Sequence, residues 1–319
     1  MITKIPFPFR IILNITNECN SNCIYCSNKE FVNKDLDIED WRKVIKILSD
    51  KKIASVILSG GEPLVSPYIY DIIKLLSEYS IRVNLISNGI LVRDIPVDIM
   101  NRISAIQISY DGMKYNKQYR KISPEIPLEA MKRTHSQKIK TYSMTVVTRE
   151  NLADMENIYL EVRDRTDLCC FERVSIIGNA RQHLDLQLAK DDERQFLENI
   201  QYLQNKYGNT VFCNDPIQNC FSFQEESISG CAIGLSTLCI SSNGDILPCT
   251  RLPIILGNIL NDNIEEIWNN SEMLNEIRLR NLKGKCQICQ HKIICGGCRA
   301  AAWAKSGDYL GEDPECFLE

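Results

Sequence analysis

Cys19, Cys23 and Cys26 stand in the run Cys-Asn-Ser-Asn-Cys-Ile-Tyr-Cys, directly after the apolar segment Phe9 to Ile15. The Asn-Ser-Asn between the first two thiols is polar and loop-like, which suits a ligand set better than three unrelated core cysteines. A [4Fe-4S] cube has four irons, and a loop supplying three thiolates without a close fourth leaves one iron open to exogenous donors. Zinc fits less well, because a structural zinc site takes four protein donors and the nearest histidine in sequence is His135.

The chain that must carry this loop has 319 residues, enough for one large domain and a smaller appended one. Apolar residues make up 44% and charged residues 24%, values of an ordinary globular protein. A net charge of -4 offers no basic field for a phosphate backbone, so a dedicated nucleic-acid binder is not expected. The longest apolar runs are strand-sized and too short to cross a bilayer. The N-terminus lacks the apolar core of a secretory signal, and the expectation is a cytoplasmic protein. In a reducing compartment fifteen cysteines point to metal or catalysis rather than to disulfides.

The first half alternates β-rich runs with helical patterns. Candidate strands cover Arg10–Thr16, Ala54–Ser59, Arg82–Ser87, Ala105–Tyr110, Thr141–Thr148 and Glu172–Ile177. Helical patterns fall at Ile38–Ser49, Pro67–Tyr79, Leu128–Gln137 and Leu152–Arg163. The alternation implies a parallel sheet of α/β class, and counting strands favours a partial barrel of six over a closed eight-fold one. A charged helix follows from about Lys190 to Tyr207. From Cys213 to Cys316 the chain carries ten of its fifteen cysteines and a hairpin signal at Asn243-Gly244. A thin core of this kind relies on metals. The expected division is a barrel over 1–190, a connecting segment over 191–225 and a cysteine-rich domain over 226–319.

The cysteine run resembles the CxxxCxΦC signature of radical S-adenosylmethionine (SAM) enzymes, with Tyr25 at the aromatic position. The resemblance implies that Cys19, Cys23 and Cys26 bind three irons, that SAM chelates the fourth, and that one-electron reduction releases a 5'-deoxyadenosyl radical. Gly60-Gly61-Glu62-Pro63 follows the second strand and matches the family's GGEP motif, which holds the methionyl amine. The glycine pair lets backbone approach a ligand closely. Ser87-Asn88-Gly89 and Ser109-Tyr110-Asp111-Gly112 end the third and fourth strands, where ligands of parallel sheets sit. They resemble segments lining the SAM and substrate pocket, with Ser87, Asn88, Ser109 and Asp111 as candidate contacts. Thr145-Val146-Val147 and Ile177 to Arg181 are expected to be scaffold.

Cys286-Gln-Ile-Cys289 is followed by Cys295 and Cys298 and later by Cys316; a zinc ribbon is the alternative for two such CxxC pairs. With Cys231 and Cys249 upstream, the pattern resembles the SPASM domain, which carries two auxiliary [4Fe-4S] clusters. It departs in one place, with two residues rather than three between Cys295 and Cys298. The resemblance implies an outer cluster on Cys286, Cys289, Cys295 and Cys316 and an inner one on Cys231, Cys249 and Cys298. The inner cluster is then one ligand short, with Cys220 as first choice and Cys239 or Cys213 as alternatives. An unbound Cys213 or Cys220 could donate a hydrogen atom. Cys169 and Cys170 point to opposite faces of one strand and are expected to be structural.

The family implies an enzyme. Its substrate is expected to be a ribosomally made peptide that is crosslinked or epimerised, with a tetrapyrrole propionate of a haem pathway as the alternative. No winged-helix leader-binding domain fits before the first strand, which would leave a leader to a separate protein. A flavodoxin- or ferredoxin-type protein is the expected electron donor. A ferredoxin-like electron carrier, the reading of another class, needs clusters but neither Gly60-Gly61-Glu62-Pro63 nor the barrel.

Overall fold

The computed structural model describes residues 5–8, 10–30, 34–220 and 230–318. Strands β1 (Arg10–Thr16), β2 (Ser55–Gly60), β3 (Arg82–Ser87), β4 (Ile103–Ser109), β5 (Lys140–Val147) and β6 (Leu168–Arg173) pair parallel in chain order. A seventh parallel strand, β7 (Val211–Cys213), continues the sheet past β6. At the other edge β8 (Cys239–Ile240) lies parallel to β1, and β9 (Asp245–Leu247) and β10 (Gly257–Asn258) follow antiparallel. The expected hairpin at Asn243-Gly244 is the β8–β9 connection. Among the described residues nothing pairs β7 with β10, so the ten-stranded sheet is a partial barrel that borrows one edge from the cysteine-rich region. The junction expected at 225/226 lies outside the described residues.

The connecting helices are α1 (Ile38–Asp50), α2 (Ile69–Glu78), α3 (Val97–Met100), α4 (Asn116–Arg120), α5 (Glu125–Ser136), α6 (Met155–Val162) and α7 (Lys190–Tyr207). Past the barrel come α8 (Ile264–Asn270), α9 (Glu272–Arg278), α10 (Lys285–Ile288) and α11 (Arg299–Ser306). Helix α1 shows why the pattern folds as it does. Asp37 caps it by accepting the N–H of Asp40 at 2.9 Å. Trp41, Val44, Ile45 and Leu48 recur at helical spacing and are fully buried. They meet Ile11, Leu13, Val56 and Leu58 of the sheet's outer face in one continuous core.

The inner face is different. Successive strand residues alternate faces, so Asn14, Ser59, Asn84, Gln107, Ser109, Tyr142, Met144 and Glu172 point into the barrel lumen, as the register of paired strands requires. Arg10, Arg82 and Lys140 share this face but lie exposed at the N-terminal rim. The sixth strand corrects the expectation. It runs over Leu168–Arg173 instead of Glu172–Ile177, because Val174 packs with Tyr25 and Tyr119 against the cysteine loop and Ile177 enters the core, so the β-rich Val-Ser-Ile-Ile run leaves the ladder.

The indole N–H of Trp41 has no hydrogen-bond partner in this core. Trp41→Ala is therefore expected to cost about 3–5 kcal/mol, seen as a lower urea midpoint. Trp41→Phe should cost far less, since it removes the orphaned donor while keeping most of the ring.

Candidate active site

The cysteine loop leaves β1 and crosses the C-terminal ends of the strands, and the segments that follow β2, β3, β4 and β6 hold it. At β2, Gly60 has φ +127°, and a Cβ there or at Gly61 would overlap the carbonyls of Thr16 and Glu18. The N–H groups of Gly61 and Glu62 donate to those carbonyls, each at 2.8 Å. The glycine pair is thus required by the approach of the loop itself, whatever ligand it also admits. Glu62 is 1% exposed and accepts from the N–H of Asn88 at 2.7 Å and of Leu64 at 3.2 Å. Burial pushes its carboxyl up to about 7 against these bonds. Its side chain splices the ends of β2 and β3 together, and Pro63 starts the turn that follows.

At β3, the amide of Asn88 donates to Asn20 at 2.7 Å and approaches the Cys19 sulfur at 3.9 Å, while buried Ser87 accepts from the N–H of Gly89 at 3.1 Å. At β4, Asp111 is fully buried. Arg120 clamps it at 2.7 and 3.1 Å, the N–H of Val146 donates at 3.0 Å, and the Tyr25 hydroxyl donates to it as well. The Arg120 carbonyl in turn accepts from Ser21, and the Tyr119 carbonyl from the N–H of Ile24 at 2.9 Å. Asp111 and Tyr25, expected as cofactor contacts, therefore spend their polar groups on each other and on Arg120. Ser109 stays on the lumen face.

After β6, Asn179 donates its main-chain N–H to the Cys26 carbonyl and its amide to the Cys23 carbonyl, both at 3.0 Å. Gly178 has φ +58°, and a Cβ there would overlap the Cys26 carbonyl. The roles of Arg120 and Asn179 were not legible in the sequence, since neither spacing nor periodicity marks a residue that clamps a buried carboxylate or binds the main chain of a distant loop.

The three thiols are partly exposed. Burial raises Cys19 to about 11 and Cys23 above its ordinary value, so a thiolate there is stable only beside a cation. Among the described residues no group of three or more His, Cys, Asp or Glu side chains gathers as the donors of a single metal ion do. A cube, whose irons stand at separate corners, asks for ligands spread farther apart, and a three-thiol loop fits it.

The second thiol-rich region lies at the C-terminal end. Cys220, Cys286, Cys289, Cys295 and Cys316 line one small, partly open pocket, together with His291. Cys220 hydrogen-bonds Cys295. The structure thus places it beside a thiol of the expected outer set. Cys298 lies within electrostatic reach of Cys231 and Arg251, and Arg251 of Cys249. Cys239 is a fully buried residue of β8. Cys213 is corrected. It is paired beside Phe171 and buried in the core near Glu193 of α7, on the helix side of the sheet, so it cannot donate a hydrogen atom into the lumen.

If the strand-end contacts hold the loop, Gly178→Ala should lose about four irons per chain on anaerobic purification, with far-UV circular dichroism unchanged. Asp111→Ala, which leaves the buried Arg120 uncompensated, should lose stability as well, by about 3–5 kcal/mol in denaturant.

The sequence matches the Radical SAM superfamily over residues 13–162 and the SPASM iron-sulfur cluster-binding domain over residues 231–296. It is 26% identical to the AdoMet-dependent heme synthase of Methanosarcina barkeri, over 99% of this chain and 98% of that protein. To the PqqA peptide cyclase of Bradyrhizobium diazoefficiens it is 27% identical, over 98% and 86%. The crystal structure of Streptococcus suis SuiB bound to S-adenosylmethionine shares the fold with a TM-score of 0.78 at 20% identity, covering 98% of this chain and 78% of that one. Among the described residues no helix is long and apolar enough to cross a membrane. The two domain matches lie in the order the cysteine motifs require and together span more than half of the sequence, so the chain belongs to the radical SAM superfamily, an enzyme whose cofactors are [4Fe-4S] clusters and S-adenosylmethionine, with a C-terminal SPASM domain.

Proposed function

We propose that this enzyme cleaves S-adenosylmethionine reductively at a cluster held by Cys19, Cys23 and Cys26 and abstracts a hydrogen atom from a peptide bound in the barrel lumen. When bound, the reduced cluster supplies the electron that splits the sulfonium into methionine and a 5'-deoxyadenosyl radical. The observation that carries the reading is the fixing of the three-thiol loop, by main-chain and side-chain bonds, across the strand ends that open onto the lumen. Cys286, Cys289, Cys295 and Cys316 would hold the outer auxiliary cluster, with Cys220 a fifth thiol beside them. Cys231, Cys249 and Cys298 would hold the inner one. A flavodoxin- or ferredoxin-type protein would deliver the electron, and a separate protein would present any leader peptide.

The lumen supports a peptide over a polycarboxylate. Above the N-terminal rim its strand positions carry amides, hydroxyls and apolar groups such as Asn14, Asn84, Gln107 and Met144, which match main-chain donors and acceptors. Their one charge is Glu172, already paired with Arg251. Several propionates would ask for several cations there. A second reading, decarboxylation of a tetrapyrrole propionate, is favoured by the near-complete mutual coverage with the Methanosarcina barkeri heme synthase.

Reduced, reconstituted enzyme incubated with S-adenosylmethionine should form 5'-deoxyadenosine, and Cys19→Ala should form none. Absence of the product from the unchanged enzyme would sink the proposal. With deuterated substrates offered separately, label should pass into 5'-deoxyadenosine from a peptide encoded beside the gene; label from a tetrapyrrole propionate instead would replace the peptide by the second reading.

A further inference from the structure

Arg173 ends β6 at 3% exposure, and its single guanidinium meets four carboxylates. Nε pairs with Asp215, Nη2 donates to Asp313 at 2.6 Å, and Nη1 faces Glu315 at 2.8 Å and Glu193 at 3.5 Å. All four acids are buried, and among the described residues neither oxygen of Glu193 has a hydrogen-bond partner. Ion clusters in a dry interior add little stability that apolar packing would not, so the choice of charged residues here points to a task besides holding the fold.

Asp313 shows what the task is. The Oδ2 that takes Arg173 also accepts the main-chain N–H of Cys298 at 2.7 Å, and Oδ1 accepts the N–H of Glu315, the neighbour of Cys316, at 3.2 Å. Arg173 and Arg251 both lie within electrostatic reach of the Cys298 sulfur. Arg251 also donates its main-chain N–H to the Cys249 sulfur at 3.5 Å, and its side chain bonds Glu172 and Ser175 of the barrel. The cysteine thus has a fixed anion tied to its main chain and a cation toward the lumen. Cluster potentials respond to net charge and hydrogen bonds of this kind.

We propose that Asp313, clamped by Arg173, is a positioning residue for the auxiliary cluster on Cys298: it fixes that cysteine's main chain and lowers the cluster's reduction potential, while Arg251 raises it. This rests on reading Cys298 as a cluster ligand. The strand that ends in Arg173 continues directly into the segment whose Asn179 holds Cys23 and Cys26, so one piece of chain sets both redox ends of the enzyme.

The test is an EPR-monitored redox titration of anaerobically purified full-length enzyme, with iron counted in each sample. Asp313→Asn should keep its iron, move the potential of one auxiliary cluster upward, and leave the cluster that responds to S-adenosylmethionine where it was. Asp313→Glu, which keeps the charge, should stay at the native potential. Arg251→Gln should move the same auxiliary cluster downward. An unmoved potential in Asp313→Asn overturns the proposal, as does a shift in Asp313→Glu equal to that in Asp313→Asn, which would assign the effect to packing. Should Asp313→Asn fail to retain iron, Arg251→Gln decides: a downward shift supports the proposal and no shift overturns it. Cys298→Ala separates the two levels, because a variant that keeps all its iron and all its signals would overturn the ligand reading itself, whatever the potentials do.

Discussion

The buried carboxylate of Asp111 joins the cysteine loop to the barrel. It stands at the end of β4, takes both arms of the Arg120 guanidinium, accepts the Val146 N–H from β5, and receives the Tyr25 hydroxyl from the middle of the cysteine loop. A buried charge is tolerated only when its lone pairs are met, and here each partner belongs to a different element. The loop's other bonds, from Asn88, Asn179 and the Gly60-Gly61 pair, act on a chain that this carboxylate already fixes in place. The rigidity matters because three thiolates must keep their spacing with no donor close by to replace one that strays.

The same economy governs the cysteine-rich region. Its described part has few strands and short helices, and it leans on the barrel at several places, two of them on opposite sides. The β8–β10 ribbon extends the sheet from β1, so backbone hydrogen bonds join the two regions. On the opposite side Arg173 of β6 reaches Asp313 and Glu315. The two attachments bracket the lumen, so the thiols of the C-terminal region and the loop at the strand ends are held by one sheet.

Much of the fold was legible in the sequence because period-two and period-3.6 patterns survive wherever a face is buried against another element. Helix α7 was read to the residue, and β1 and β3 likewise, since Ile11, Leu13, Ile15, Val83 and Leu85 alternate cleanly into the core. The sixth strand was misplaced where two signals compete. Val174 to Ile177 has strong β propensity, yet its apolar side chains are used to cover Tyr25 and the cysteine loop, and tertiary contact overrode propensity. The contact of Cys220 with Cys295 was not legible for a related reason: sequence distance to Cys231 says nothing about which side of the thiol-rich region Cys220 reaches.

What the sequence by itself determined is the chemistry: the spacing of Cys19, Cys23 and Cys26, the Gly60-Gly61-Glu62-Pro63 turn and the C-terminal cysteine pairs are local patterns, readable because ligand loops are short. Only the tertiary structure decided which polar residues meet one another across the strand ends. Glu62, Asp111 and Tyr25 sit in motifs that bear on cofactor chemistry, and burial also makes their side chains join the strand ends and the cysteine loop. Arg120, Arg173 and Asp313 stand in no ligand motif, and Asn179 lies in a segment expected only to be scaffold. Their roles arise from bonds between different elements, from nine residues apart for Arg120 and Asp111 to 156 for Asn179 and Cys23, and such bonds leave no periodicity in the chain that makes them.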